Sequence, residues 1–259
     1  MSIAVPEAPQ FGGRELEGRV ALVTGASRNI GRAIALTLAE GGASVIVTGR
    51  RDRAAVDEVV GAIEAKGGRA IGVLGDLVKP ADVDAIVAAG VDAFGRLDIL
   101  VNNAAVRGEA PLDELSFERW REVMALSLDA PFVTVKAALG ALSQSGQGAI
   151  VNIGGLTAYT GASHRVHVVA AKAGLDGLTK ALAHELAERQ ITVNLVSPGL
   201  IETVREGGGR PHHHATTANL LGRRGTPEEV AAMVRFLVGP AARYVTGQTV
   251  HVNGGAYLP

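Results

Sequence analysis

At 259 residues the chain is long enough for one large core and short for two comfortable domains, so one α/β domain is the usual outcome. Hydrophobic residues make up 47% and aromatics only 3%, which leaves Ala, Val, Leu and Ile to build an interior suited to buried parallel strands covered by helices. A net charge of −1 gives no field to attract nucleic acid or an acidic membrane, and the absence of cysteine excludes disulfides and thiolate metal sites and agrees with a reducing, cytoplasmic setting.

The opening "MSIAVPEAPQFGGRELEGR" has no basic start followed by an apolar run, so it does not read as a signal peptide. It reads as a flexible tail over 1–15, with a single domain over 16–259. No apolar stretch is expected to reach the ~20 residues that span a bilayer. "VALVTG" (20–25) is a buried strand ending in Gly, and "NIGRAIALTLAEGG" (29–42) repeats apolar residues at helical spacing. The strand "SVIVTG" (44–49) precedes a helical "DRAAVDEVVGAIEAKGG" (52–68), then "AIGVLGDL" (70–77), a helix over 80–94 and "LDILVNNAA" (97–105). A long helical region over about 112–142 leads to "AIVNIGG" (149–155) and a helix ending near Arg189. The strand "ITVNLVSPG" (191–199), the helix "TPEEVAAMVRFLVG" (226–239) and the strand "TVHVNGG" (249–255) close the chain. Strands alternating with helices imply right-handed crossovers, hence a doubly wound Rossmann-type α/β domain with a seven-stranded parallel sheet and helices on both faces. The irregular, Gly-rich 202–222 is a candidate substrate lid over the strand ends.

"TGASRNIG" (24–31) joins the first strand to the first helix, and a helix N-terminus approached through a Gly turn can hold a pyrophosphate. The plainer reading is a generic βα turn. The second strand ends "TGRRD", with Arg50 and Arg51 where an NAD site places a carboxylate; with Arg28 they suit a 2′-phosphate and favour NADP(H) over NAD(H). Solvated surface arginines are the alternative. Asp76 in "GDL" can accept from an adenine amino group, and "NNAA" (102–105) lets backbone approach a ligand closely.

This combination, from about Leu16 to Tyr257, resembles the short-chain dehydrogenase/reductase family, of the 3-oxoacyl carrier-protein reductase type. Thr24–Gly31 is similar to that family's T-G-x-x-x-G-x-G, "NNAA" to its N-N-A-G, and "SPGLIET" (197–203) to its P-G stretch, whose backbone meets the nicotinamide carboxamide. The resemblance implies cofactor contacts from Gly25, Ser27, Arg28, Asn29, Ile30, Gly31, Arg50, Arg51, Asp76, Leu77, Asn103, Ala104, Lys172, Pro198, Gly199, Ile201 and Thr203. Two positions depart from the pattern: Asn29 replaces the middle glycine and Ala105 the last. Asn tolerates positive φ best among side chains, so the turn is expected to survive.

The family's active site uses an Asn, a Ser, a Tyr and a Lys, the Tyr exchanging a proton with the substrate oxygen while hydride crosses at the nicotinamide. In this sequence Lys172 stands at the Lys position, but the Tyr position is Val168, the Ser position Gly155 and the Asn position Ser127. Val and Gly carry no exchangeable proton, so the resemblance implies that Tyr-driven carbonyl reduction is closed to this chain. Lys172 can still bond ribose hydroxyls. On a helix that already begins at His164, that residue shares a side with Val168 and Lys172; if the helix starts later, His167 is the better substitute acid. Tyr159 lies in the loop between Gly155 and the helix, near the family's substrate position.

"HHH" (212–214) with His164 and His167 forms a conceivable imidazole cluster, but nothing fixes its geometry and no metal is assigned. A lid offering imidazoles to an anionic or aromatic substrate and an ordinary surface loop are the other readings. Three functions stay open: an NADP(H)-dependent oxidoreductase with a rebuilt proton relay acting on a small molecule, a non-redox lyase or hydrolase with a histidine-lined pocket, and a nucleotide-binding protein without catalysis. The resemblance also implies a homo-oligomer, dimer or tetramer, joined through the long helices and the last strand.

Overall fold

The computed structural model describes residues 13–204 and 218–259. Its seven strands are β1 (Val20–Val23), β2 (Ser44–Gly49), β3 (Arg69–Leu74), β4 (Ile99–Asn102), β5 (Ala149–Ile153), β6 (Thr192–Pro198) and β7 (Thr249–Val252). They pair in the order β3-β2-β1-β4-β5-β6-β7, every pair parallel, as the alternating pattern predicts. Val23 sits between Val47 and Val101, so chain order reverses beside β1 and a crevice opens at the strand ends there.

Alternation along each strand feeds two separate cores. Ala21, Val23, Val45, Val47 and Val101 face one layer, formed by α1 (Asn29–Glu40), α2 (Arg53–Glu64) and α8 (Pro227–Val238) through Ile34, Leu38, Val56, Ile63, Val230 and Val234. Val20, Leu22, Ile46, Leu100 and Ile150 face the other, formed by α3 (Pro80–Phe94) and α5 (Ala130–Gln144) through Val83, Ile86, Val135, Ala138 and Leu142. These aliphatic runs, buried on both faces, explain why so few aromatics suffice.

The long helical region divides: α4 (Phe117–Met124) passes through a π-helical turn at Ala125–Asp129 into α5. The 3.6-residue pattern continues across the junction and so hides the extra residue. The continuous run Phe117–Gln144 is also long and apolar enough, by length and composition, to span a bilayer, which corrects the expectation of no such stretch. Here its Ala130, Val135, Ala138 and Leu142 pack into the core instead. Beyond β5 come the short α6 (Thr157–Thr160) and α7 (Val166–Glu185), the latter followed by one 3₁₀ turn at Ala187–Arg189.

A buried polar chain locks the elements beneath the crevice. Thr134 Oγ1 donates to Asn102 Oδ1 (2.6 Å), Asn102 Nδ2 to Asn152 Oδ1 (2.9 Å), and Asn152 Nδ2 to Thr179 Oγ1 (2.9 Å). All four side chains are buried and each bond joins a different pair among α5, β4, β5 and α7, so the site floor resists deformation. At the N-terminal side, packing begins before Leu16: the buried Arg235 donates to both carboxylate oxygens of Glu15 (2.6 and 2.8 Å) and to the Gly13 carbonyl (2.8 Å).

Candidate functional site

A cavity of about 540 Å³ occupies the crevice beside β1. The turn from β1 to α1 forms its floor: Gly25 has φ +61°, and a Cβ on Gly31 would stand 2.2 Å from the Gly25 carbonyl oxygen and 2.5 Å from Asn103 Nδ2. Asn103 fastens that turn, its Nδ2 donating to the Thr24 and Gly25 carbonyls at 2.9 and 3.0 Å. No acidic residue lies in the first turn of α1 and no side chain caps it, which leaves amide N–H groups and a positive dipole end directed at the cavity. An anionic pyrophosphate fits that end.

Of the residues expected to hold a cofactor, Gly25, Ser27, Arg28, Asn29, Ile30, Gly31, Arg50, Asp76, Leu77, Asn103, Ala104 and Thr203 line this cavity. Arg51 does not; of the two adjacent arginines that follow β2, Arg50 is the one that lines the cavity. Pro198, Gly199 and Ile201 line an adjoining cavity, which Thr203 shares. Thr48, Leu126, Arg107 and Val204 also line the larger cavity, and motif spacing gave no signal for them.

Asn29 has φ +52°, the left-handed conformation that Asn accommodates. Its side chain does something glycine cannot. Asn29 Nδ2 donates to the Val204 carbonyl at 3.0 Å and Oδ1 accepts from the Val204 N–H at 2.8 Å. This two-point clasp holds Thr203–Val204 across the cavity beside the anion-binding turn.

The adjoining cavity, of about 90 Å³, is lined by Gly155, Val168 and Lys172 together with Ile153, Leu156, Arg107 and Arg165. Lys172 Nζ donates to the Ile153 carbonyl at 2.6 Å. Burial, aided by the Arg107 charge, pushes its amine down to about 7. Arg165 precedes the first residue of α7 and lies three positions before Val168, so it faces the same side as Val168 at the helix start. Sequence reasoning missed it, though an Arg one helical turn before Val168 was the available signal.

The four remaining candidate catalytic residues line neither cavity. The helix begins at Val166, so His164 precedes it with φ +61° and is exposed. His167 is on the helix but fully buried, both ring nitrogens without a hydrogen-bond partner among the described residues. Burial, then the charges of Arg119 and Arg165, hold its pKa below the usual histidine value. Tyr159 is turned away: its hydroxyl lies 2.9 Å from Asp176 Oδ1, and its ring packs on His251 and Tyr257. Burial, outweighing a hydrogen bond with Thr249, and the Asp176 carboxylate push its phenol up to about 12, useless for proton transfer near neutrality. Ser127 is buried in the π-helical turn, its Oγ without a partner among the described residues. His212–His214 lie outside the described residues, among which no cluster of three His, Asp or Glu is placed to hold a metal.

A family model described as Enoyl-(Acyl carrier protein) reductase matches residues 25–257. The 3-oxoacyl-[acyl-carrier-protein] reductase of Vibrio cholerae is 41% identical over 245 residues, covering 94% of this chain and 99% of that protein. Among solved structures, a dehydrogenase/reductase from Sinorhizobium meliloti superposes with a TM-score of 0.90 at 38% identity, covering 95% of this chain and 97% of that one. A short chain dehydrogenase from Burkholderia cenocepacia, solved in complex with NADP, gives 0.88 at 38% identity, covering 93% and 99%. With a parallel sheet in this order, a Gly turn feeding α1 and these relatives along nearly its whole length, the chain belongs to the short-chain dehydrogenase/reductase family.

Proposed function

We propose that the protein is an NADP(H)-dependent oxidoreductase acting on a small molecule, with an active site that lacks the family's Tyr and Ser proton relay. The observation that carries this reading is the lining of the larger cavity: the amide end of α1, Arg28, Arg50 and Asp76 share one crevice that opens toward Lys172. Two guanidiniums in the lining, Arg28 from the turn after β1 and Arg50 after β2, suit a 2′-phosphate better than two ribose hydroxyls. The NADP carried by the Burkholderia relative supports the same choice.

When bound, the nicotinamide supplies or accepts hydride. The chain's own residues bind and orient around it. The Gly25–Gly31 turn receives the pyrophosphate, and the Asn29 clasp keeps Thr203–Val204 over it. Lys172 approaches from the Ile153 side, where its Nζ can bond ribose hydroxyls. An amine with a pKa of about 7 also holds or releases a proton near neutral pH. Val168 and Gly155 present no hydroxyl to a substrate oxygen. A substrate whose reduction needs little proton assistance, such as an iminium carbon or an activated alkene, suits this wall.

Among the described residues His164 and His167 line neither cavity, so they lend no support to the histidine-lined lyase or hydrolase. Assembly into a dimer or tetramer agrees with the exposed Phe117 and Phe132 on the long helical run and belongs to this proposal. Calorimetry with NADPH and NADH tests the cofactor choice: NADPH is expected to bind at least about tenfold tighter. Equal binding overturns the NADP preference, and no heat with either overturns the oxidoreductase reading. NADPH binding without turnover across a broad substrate screen would leave the nucleotide-binding protein.

A further inference from the structure

The two cavities meet at a passage whose walls line both, among them Ile30, Ala105, Val106 and Thr203. Ile30 belongs to the start of α1 and Thr203 to the segment after β6. Each is the chain neighbour of a clasped residue, since Asn29 precedes Ile30 and Val204 follows Thr203. The two bonds between Asn29 and Val204 therefore set how closely these two walls of the passage approach.

Leu200–Val204 is a strap tied at two places of unequal strength. At its base the Gly225 N–H donates to the Leu200 carbonyl at 2.9 Å and the Glu202 N–H to the Gly225 carbonyl at 2.8 Å, around a buried Ile201. At its far end the Asn29 side chain takes both backbone groups of Val204, which is 85% exposed. Water competes for exposed bonds, so the far end opens more readily than the base. Both far bonds are made by protein groups alone, so the tie needs no ligand to form.

Resting on the NADP(H) reading, we propose that Asn29 and Val204 form a latch on this passage, which opens to admit or release the dinucleotide and closes across it. A dinucleotide running from the Gly25–Gly31 turn toward Gly155 and Val168 passes between Ile30 and Thr203, and each of its ends is bulkier than the pyrophosphate in the middle. It therefore enters and leaves sideways, through the side that the clasp closes, rather than end-first. The Asn29 side chain acts through the strap. Glycine at that position would keep the positive φ of +52° and leave the strap tied only at its base.

Stopped-flow fluorescence of NADPH measures its association, and a chase with excess NADP⁺ its release, in the wild type and in Asn29→Gly. A latch that must open slows both directions, whereas a contact that only holds bound nucleotide slows release alone. Asn29→Gly is expected to speed association about threefold and release about fifteenfold, the scale of two exposed hydrogen bonds. Hydrogen exchange at the Val204 N–H reads the latch without nucleotide and should quicken about tenfold in the variant. Adenosine 2′,5′-bisphosphate, which carries the 2′-phosphate end and stops short of the passage, should bind both proteins equally and so exclude a damaged turn. Faster release with unchanged or slower association, a Val204 amide that exchanges equally in both proteins, or an equal loss for the bisphosphate overturns the latch. Absence of any NADPH signal from the wild type is a different result: it overturns the cofactor reading, and the latch falls with it.

Discussion

The two cavities lie side by side on one sheet and differ in what builds them, backbone in one and side chains in the other. The larger keeps every backbone device that an anion-binding turn requires: Gly25 at positive φ, Gly31 without room for a Cβ, and an α1 end clear of acids. Asn29 in that turn takes the same left-handed conformation and adds a clasp on Val204. The smaller is lined by the amine of Lys172, an aliphatic Val168, a bare Gly155 and the guanidinium of Arg165. Backbone cradles tolerate few residues because geometry is the function. Side-chain chemistry can be exchanged on an unchanged frame, so the fold alone does not fix the reaction.

The comparison breaks most visibly at Gly31. Gly31→Ala drives a Cβ into the Gly25 carbonyl and Asn103, and overpacking of about 1–3 kcal/mol should weaken NADPH binding up to ~100-fold, read by calorimetry. Next, Arg50→Gln combined with Arg28→Gln should cost NADPH ~10–100-fold while NADH changes little, because only the 2′-phosphate loses charge-assisted bonds. Equal losses for both nucleotides would remove Arg28 and Arg50 from the phosphate.

Lys172 sharpens the contrast from the other cavity. Its folded pKa of about 7 lies below the unfolded lysine value, so between the two the unfolded chain binds more protons and stability rises with pH. The deficit is full below about pH 7 and disappears as pH climbs toward the unfolded value. Melting temperatures of the wild type should therefore gain on those of Lys172→Met between pH 7 and 10 by several degrees, roughly 2–4 °C per kcal/mol for a chain of this size. A constant gap would mean that the amine stays charged in the folded protein. The smallest effect is expected from Asn29→Gly, which keeps the positive φ and removes only the clasp on Val204. Two hydrogen bonds at about 0.5–1.5 kcal/mol each, partly replaced by water, should weaken NADPH about fivefold.

The sheet was legible in the sequence because buried parallel strands are short aliphatic runs ending in Gly or Asn, and "VALVTG" or "DILVNN" admits little else. The turn was legible for a related reason: positive φ restricts residue type, so even Asn29 announced its conformation. Side chains gave less. Arg50 and Arg51 are adjacent in the bend that follows β2, and their sequence alone does not say which of them lines the cavity. Tyr159 sat close to the catalytic stretch in sequence, yet its partners Asp176 and Thr249 come from α7 and β7, which no local pattern reveals. The two histidines depended on where α7 begins; a start at Val166 exposes one and buries the other. Arg165 stayed hidden because the stretch was matched at the Tyr and Lys positions, and a residue just outside a helix carries no periodicity.

A crystal structure of the NADP⁺ complex tests the central claim most directly. The account predicts a 2′-phosphate between Arg28 and Arg50, pyrophosphate on the Gly25–Gly31 turn, and a nicotinamide face opposite Gly155 and Val168 with no hydroxyl or imidazole against it. A nucleotide bound elsewhere, or a Tyr159, His164 or His167 side chain moved in beside the nicotinamide, would contradict it.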